Sequence, residues 1–452
     1  MKQATASVAS RCADLVGADH VVTSAADVSA CEVDGLLPSA VVRPGSAAEI
    51  AEILRLAAAE RLAVIPMGGR TKLAVGMPPQ RYDLALDLTR MNRILAFDPA
   101  DLTLGVEPGV RFAQLERELA AQRQFLPLAP AFASRATLGG MIAANADSPL
   151  RHAHGSARDQ LLGMEFVTGA GVAAKSGARV VKNVTGYDLH QLLAGSLGTL
   201  AVITRLNFRT LPLPPEERMF VASFGAPQEA LSFCRAIAAS PLQPRMVEAF
   251  NPATARIFNA ARAPADRWSV TVAAAGHRAV VERHERDLAR MARELCAPDF
   301  AAFDGPEQDA VFAALREFPR LVLEAFPSAA IFRVAVLPGT MPALLADMIA
   351  VCERHRLEPA ILVRAAGVVY AALLPPAIDA AATGRLAPAS RELMQASMGL
   401  GARPMIEWCP LALKREVNIW PPPGNDQVLA EKLKRVFDPQ AILAPGRFLG
   451  GV

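Results

Sequence analysis

The stretch Leu-Ala-Val-Ile-Pro-Met-Gly-Gly-Arg-Thr-Lys-Leu-Ala-Val-Gly at residues 62–76 limits what this chain can fold into more than any other. Its apolar, partly β-branched run suits a buried strand, and Pro66 ends that strand because proline cannot donate to a ladder. After Met67 the chain must turn. Gly68 and Gly69 open backbone angles closed to other residues and carry no Cβ, so successive N–H groups are free to converge on anionic oxygens. Thr71 adds a hydroxyl donor and Lys72 a positive charge. In a chain with 30 glycines, a lone Gly-Gly is more often an ordinary strand-to-loop turn. A second pair, Gly139 and Gly140, changes the balance. It opens a helix-compatible stretch at residues 137–145, where unpaired N–H groups and the helix dipole are expected to attract an anion.

At 452 residues the chain exceeds one typical core, so two or three domains are expected. Hydrophobic residues make up 52% and charged residues 20%, which excludes a disordered chain. Lys and Arg (47) nearly balance Asp and Glu (44), and a net charge of +3 argues against nucleic acid as a partner. A small-molecule ligand is expected instead. Apolar runs are broken by charge, proline or glycine before about 18 residues, so no transmembrane segment is expected. The first residues lack the apolar core of a secretory signal, which gives a cytoplasmic expectation, at most at the inner face of a membrane. Six cysteines never form Cys-x-x-Cys, so local ligands for an iron-sulfur cluster or a zinc ribbon are lacking. His152 and His154 have no third ligand nearby, and no metal site is expected.

Residues 39–44 read as a strand, and Ser46 with Glu49 as a capping box opening a helix to about residue 61. With the strand before the glycine turn they form a compact βαβ unit. Strands are expected at 84–88, 102–107, 164–167 and 199–210, and an amphipathic helix carrying Phe112, Leu115 and Leu119. Leu-Pro-Leu-Pro-Pro at 211–215 reads as a domain boundary. Beyond it, strands at 219–224, 268–275, 331–337, 361–364 and 368–374 alternate with helices at 228–239, up to Cys296, at 340–355 and at 426–437. This is an α+β domain with a largely antiparallel sheet.

Five segments in order, residues 67–73, 136–145, 154–159, 182–188 and 195–204, resemble the FAD-binding domain of the vanillyl-alcohol oxidase and p-cresol methylhydroxylase (PCMH) superfamily. The resemblance implies an α+β fold: a two-subdomain PCMH-type FAD-binding domain at 33–215 after an N-terminal helical extension at 1–32. A flavoprotein oxidase C-terminal domain, for substrate and assembly, would follow at 216–452. Within the superfamily, Val-Lys-Asn-Val-Thr-Gly-Tyr-Asp-Leu-His at 181–190 and Pro-Gly-Arg-Phe-Leu-Gly-Gly at 445–451 are most similar to the E-subunit family of bacterial glycolate oxidases.

The resemblance also implies a cofactor site. The stretch Pro66, Met67, Gly68, Gly69, Arg70, Thr71, Lys72 and Leu73 would cradle the diphosphate of FAD, with Pro130, Thr137, Leu138, Gly139, Gly140, Ala144 and Asn145 opposite. His154, Gly155, Ser156, Arg158 and Asp159 follow the Gly-Ser-x-x-Asp signature. Lys182 and Tyr187 face either the flavin or solvent. Gly198, Thr199, Ala201, Val202 and Ile203 would approach the adenine and ribose, and Arg447 belongs to the terminal motif. Arg70 stands where some superfamily members carry a histidine joined covalently to the flavin, so noncovalent FAD is implied. Relatives often have a third glycine there.

The implied activity is oxidation of a hydroxy acid, glycolate to glyoxylate, within a complex containing a second FAD subunit and an iron-sulfur subunit. The alternatives are an independent oxidase of another hydroxy acid or alditol, and a redox-silent assembly subunit. No catalytic base is assigned. His277, His284 and His355 sit in charged helical contexts that favour a solvated face. Arg403, Lys414 and Arg415 are possible anion ligands, and Glu407 and Trp408 possible pocket walls.

Overall fold

The structure is a computed structural model and describes residues 2–179, 186–259, 264–377, 381 and 384–452. The chain divides into two compact units, one made of residues 1–146, 156–213 and 422–452, the other of 147–155 and 214–421.

In the first unit a four-stranded sheet runs in the order Val21–Val22, Ala40–Val42, Leu84–Asp87, Val64–Met67. Half of the expected capping box forms: Glu49 N donates to Ser46 Oγ (3.1 Å), while Glu49 Oε2 accepts from Gly45 N (2.8 Å), one residue before the cap. It opens the helix Ala47–Glu60, whose Ile50, Ile53, Leu54 and Ala57 face the core. The two strands flanking that helix do not pair with each other. Both pair in parallel with Leu84–Asp87, which lies between them. Val64–Met67 is therefore an edge strand, where the missing N–H of Pro66 costs no ladder bond.

The second sheet of this unit is antiparallel, in the order Ile94–Asp98, Thr103–Val106, Ala201–Arg209, Leu161–Thr168, Ala173–Gly177. Its edge strand Ala173–Gly177 has no sequence signal of its own. Ala-Ala-Lys-Ser-Gly is held extended by pairing with its neighbour.

The N-terminal segment and the tail both belong to this unit rather than to an extension and a second domain. Cys12 and Val16 of the helix Lys2–Val16 pack into one core with Val64, Val202, Ile442 and Leu443. The tail is clasped by Asp438, whose carboxylate accepts from Ile442 N (3.1 Å) and Leu443 N (2.8 Å). Lys434 pairs with Asp438 at 2.9 Å and donates to Thr199 O at 2.7 Å.

The second unit is built on an eight-stranded antiparallel sheet of α+β class, as expected. Val368–Leu374 falls where its apolar run places it. Met246–Phe250, Asp299–Phe303 and Arg403–Trp408 are strands not anticipated from the sequence.

Candidate functional site

Strand Val64–Met67 delivers the chain into the glycine turn, but the glycines serve a different purpose from the expected one. Neither has a positive φ; the left-handed residue of the turn is Arg70, at φ 60°. What Gly68 and Gly69 permit is close approach of another segment. A Cβ on Gly69 would lie 1.8 Å from Arg135 O, and one on Gly68 2.2 Å from Thr137 Oγ1. Gly69 N donates to that hydroxyl at 3.3 Å. The second pair is also corrected. The helix it opens, Leu138–Ala143, has only six residues, too short for a dipole-based anion site. Gly139 is required by packing, since its Cβ would meet Pro108 Cβ at 2.6 Å.

Between these two segments lies a groove formed by two adjoining cavities. The first, about 410 Å³, is walled by Leu88, Pro108, Gly139, Gly198, Ala201 and Ile203. The second, about 520 Å³, is walled by Ile65, residues 69–73, Val75, Ala144 and Arg447. Pro66, Met67, Gly68, Thr137, Gly140, Ala143 and Leu197 border both. One end is thus apolar, and the other carries Thr71, Lys72 and Arg447.

The expected residues therefore separate by position. Residues 66–73, Thr137, Gly139, Gly140, Ala144, Gly198, Ala201, Ile203 and Arg447 line the groove. Leu138, Thr199 and Val202 do not; they are buried in the core. Strand alternation explains Val202, which points away from the face shared by Ala201 and Ile203. Pro130 is buried outside either cavity. Asn145 Oδ1 accepts from Arg158 N (3.2 Å), Arg158 Nη2 donates to Ala194 O (2.8 Å), and Asp159 Oδ2 accepts from Ser156 N and Oγ, both at 2.7 Å. That signature folds on itself as a brace. His154 and Gly155 lie in the excursion 147–155 of the second unit. Tyr187 is 89% exposed. Lys182 is outside the described residues.

Arg447 closes the polar end. Its Nη2 donates to Leu73 O and Val75 O, while Met77 N donates to Arg447 O (3.0 Å) and Gln80 N to Pro445 O (2.9 Å). The terminal motif is thus a buttress for residues 73–80. Leu88, Pro108, Ala143 and Leu197 were not foreseen as lining, because they are apolar and far apart in sequence.

The second unit holds its ionisable groups in a transverse row across the sheet. Glu248 is paired with Arg364 in register, Leu362 with Tyr370, Tyr370 with Arg333, and Arg333 with Met405, two residues before Glu407. Residues two apart share a face, so Glu248, Arg364, Tyr370, Arg333 and Glu407 lie on one side. Arg364 Nη1 donates to Glu248 Oε1 (2.8 Å), its Nε lies 2.5 Å from Asp147 Oδ2, and Arg333 Nε lies 3.9 Å from Glu407 Oε2. Burial pushes the Glu248 carboxyl up to about 8 against the pull of Arg364. Burial would also raise Asp147, but Arg364, Arg333 and Arg151 together hold it below its ordinary value.

Of the three histidines expected on solvated faces, His284 is buried, with Nδ1 2.8 Å from Val280 O. The sequence context misled there because the charged residues flank, rather than share, its face. His355 pairs with Glu392 at 2.8 Å and His277 is exposed. Arg403 and Arg415 are exposed and Lys414 is buried. Among the described residues no group of three His, Cys, Asp or Glu is placed to hold a metal, and no helix is long and apolar enough to cross a membrane.

The groove is apolar at one end and cationic at the other, with glycines where the turn at 68–69 meets residues 135–137. A solved structure of p-cresol methylhydroxylase with substrate bound superimposes with a TM-score of 0.81 over 99% of this chain and 97% of that one, at 16% identity. Residues 38–177 match the FAD binding domain model, and residues 213–401 match the model of the C-terminal domain of FAD linked oxidases. The chain belongs to the FAD-linked oxidoreductases built from this pair of domains. It is 33% identical over 328 residues to D-2-hydroxyglutarate dehydrogenase of Xanthomonas citri, covering 69% of this chain and 66% of that one. It is 34% identical over 164 residues to glycolate oxidase subunit GlcE of Escherichia coli, covering 36% and 46%. In each case the match spans less than two thirds of the curated relative.

Proposed function

We propose that this chain is the FAD-carrying subunit of a 2-hydroxy acid oxidising complex of the glycolate oxidase type. The observation that carries the proposal is the groove itself, where a Cβ on Gly69 would meet backbone at 1.8 Å and which shares its bordering residues with the cofactor motifs. The likeness to a glycolate oxidase subunit supports the choice of complex.

Bound FAD supplies the two-electron acceptor, and the protein's task is to bind, orient and shield it. The backbone of residues 67–71 and the Lys72 ammonium would hold the diphosphate. Leu88, Pro108 and Ile203 would enclose the adenine in the apolar cavity. Arg70 stands beside the glycine pair, where a guanidinium cannot make the flavin link that a histidine makes in some superfamily members, so FAD would be held noncovalently. A second FAD subunit and an iron-sulfur subunit would receive the electrons. We place the complex in the cytoplasm.

The longer alignment to D-2-hydroxyglutarate dehydrogenase favours a second reading, an independent dehydrogenase of a larger hydroxy acid. Turnover with an artificial electron acceptor separates the two. The purified chain is expected to oxidise glycolate poorly alone and well after reconstitution with copurifying subunits. Full turnover of D-2-hydroxyglutarate by the lone chain would overturn the proposal in favour of the second reading.

A further inference from the structure

The groove turn is left-handed at one position. Its left-handed position is filled by Arg70, although left-handed backbone is disfavoured for residues with a Cβ and is the usual province of glycine. Something must hold the turn in that shape, and the Arg70 side chain shows what does. It points back to the end of the neighbouring strand, where Nη2 donates to Asp87 Oδ2 at 3.0 Å and Nη1 to Ala30 O at 3.2 Å.

Asp87 is well placed for this. It is 2% exposed and is the register partner of Met67, the last strand residue before the turn. Its other oxygen is fixed by Thr89 N (3.0 Å) and Thr89 Oγ1 (2.7 Å), and Arg43 Nε stands 3.7 Å from Oδ2. A carboxylate buried and oriented in this way is a rigid anchor, and charge-assisted hydrogen bonds to it are stronger than neutral ones.

We infer that Asp87 is a positioning residue for cofactor binding, acting through Arg70 to keep residues 68–72 in the shape the groove requires. The guanidinium does not itself serve the ligand; it substitutes for the backbone freedom that a glycine would bring. The inference rests on the reading of this groove as the FAD site.

The test is equilibrium FAD titration of the full chain, followed by flavin fluorescence, for Arg70→Ala, Arg70→Gly, Asp87→Asn and the Asp87→Asn, Arg70→Gly pair. Arg70→Ala removes the anchor and keeps the Cβ, so affinity should fall about tenfold, the scale of one charge-assisted hydrogen bond. Arg70→Gly removes the anchor together with the need for it, and should cost less than about threefold. Asp87→Asn should cost about tenfold alone and less than about twofold on top of Arg70→Gly. Equal losses for Arg70→Ala and Arg70→Gly would overturn the inference by making the guanidinium a direct ligand. So would an equal effect of Asp87→Asn in both backgrounds, or no loss in any single variant. The Arg70 pair decides the matter even if Asp87→Asn does not fold. Failure of the parent chain to bind FAD at all would instead refute the reading of the groove.

Discussion

The groove of the first unit and the ionic row of the second are built on opposite principles. The groove is backbone against backbone: glycines let residues 135–137 lie on the turn at 68–69, and most of its walls carry no charge. The row is side chain against side chain, with Asp147, Glu248 and Glu407 buried beside Arg364 and Arg333. A site made of backbone tolerates no added atom, whereas one made of paired charges tolerates no lost partner. The first should therefore break on gain of a methyl group and the second on loss of a guanidinium.

The largest effect is expected in the second unit. Arg364→Ala strands the ionised Asp147 in the interior and removes the hydrogen bond to Glu248, and leaving a buried charge without its partner costs about 3–5 kcal/mol. Chemical denaturation should show the transition of this unit shifted by that amount, and a shift below about 1 kcal/mol would place the row among weak surface pairs. Next comes Gly69→Val. A Cβ 1.8 Å from Arg135 O forces backbone to move, and FAD affinity should fall at least about a hundredfold while the second unit keeps its denaturation transition. Unchanged FAD content would mean the turn is not the cofactor cradle.

A pH series sharpens the contrast. The folded Glu248 carboxyl has a value of about 8 against an ordinary 4.5, so the folded state binds the extra proton between those values. Stability from this group is complete below about 4.5 and is lost as pH rises toward about 8. Glu248→Gln should flatten that part of the stability profile, and an identical profile for the variant would show that another group titrates there. The smallest effect belongs to Thr137→Val, which removes one hydroxyl accepting from Gly69 N and should weaken FAD binding about fivefold, near 1 kcal/mol. An effect larger than that of Gly69→Val would move the weight of the site from backbone to side chain.

Legibility in the sequence follows the same division. The helix Ala47–Glu60 and the strand Val368–Leu374 were readable because capping chemistry and apolar runs are local. The glycine pairs marked the groove for the same reason, but their role did not follow from local rules. Only the structure shows that they admit a distant segment and that Arg70, not a glycine, takes the left-handed position. The edge strand Ala173–Gly177 and the row from Glu248 to Glu407 were invisible because pairing and register create them. The tail was visible as a motif, yet its return to the first unit runs through Val64 N donating to Ile442 O and Ala444 N to Val64 O, long-range backbone bonds that no local spacing encodes.

The most direct test of the central claim is the flavin content of the purified chain after gentle denaturation. A backbone-lined groove that holds FAD without a covalent bond predicts close to one FAD per chain, all of it released into solution. A chain that carries no flavin and takes up none when FAD is supplied, or one whose flavin stays attached to the unfolded polypeptide, would contradict it.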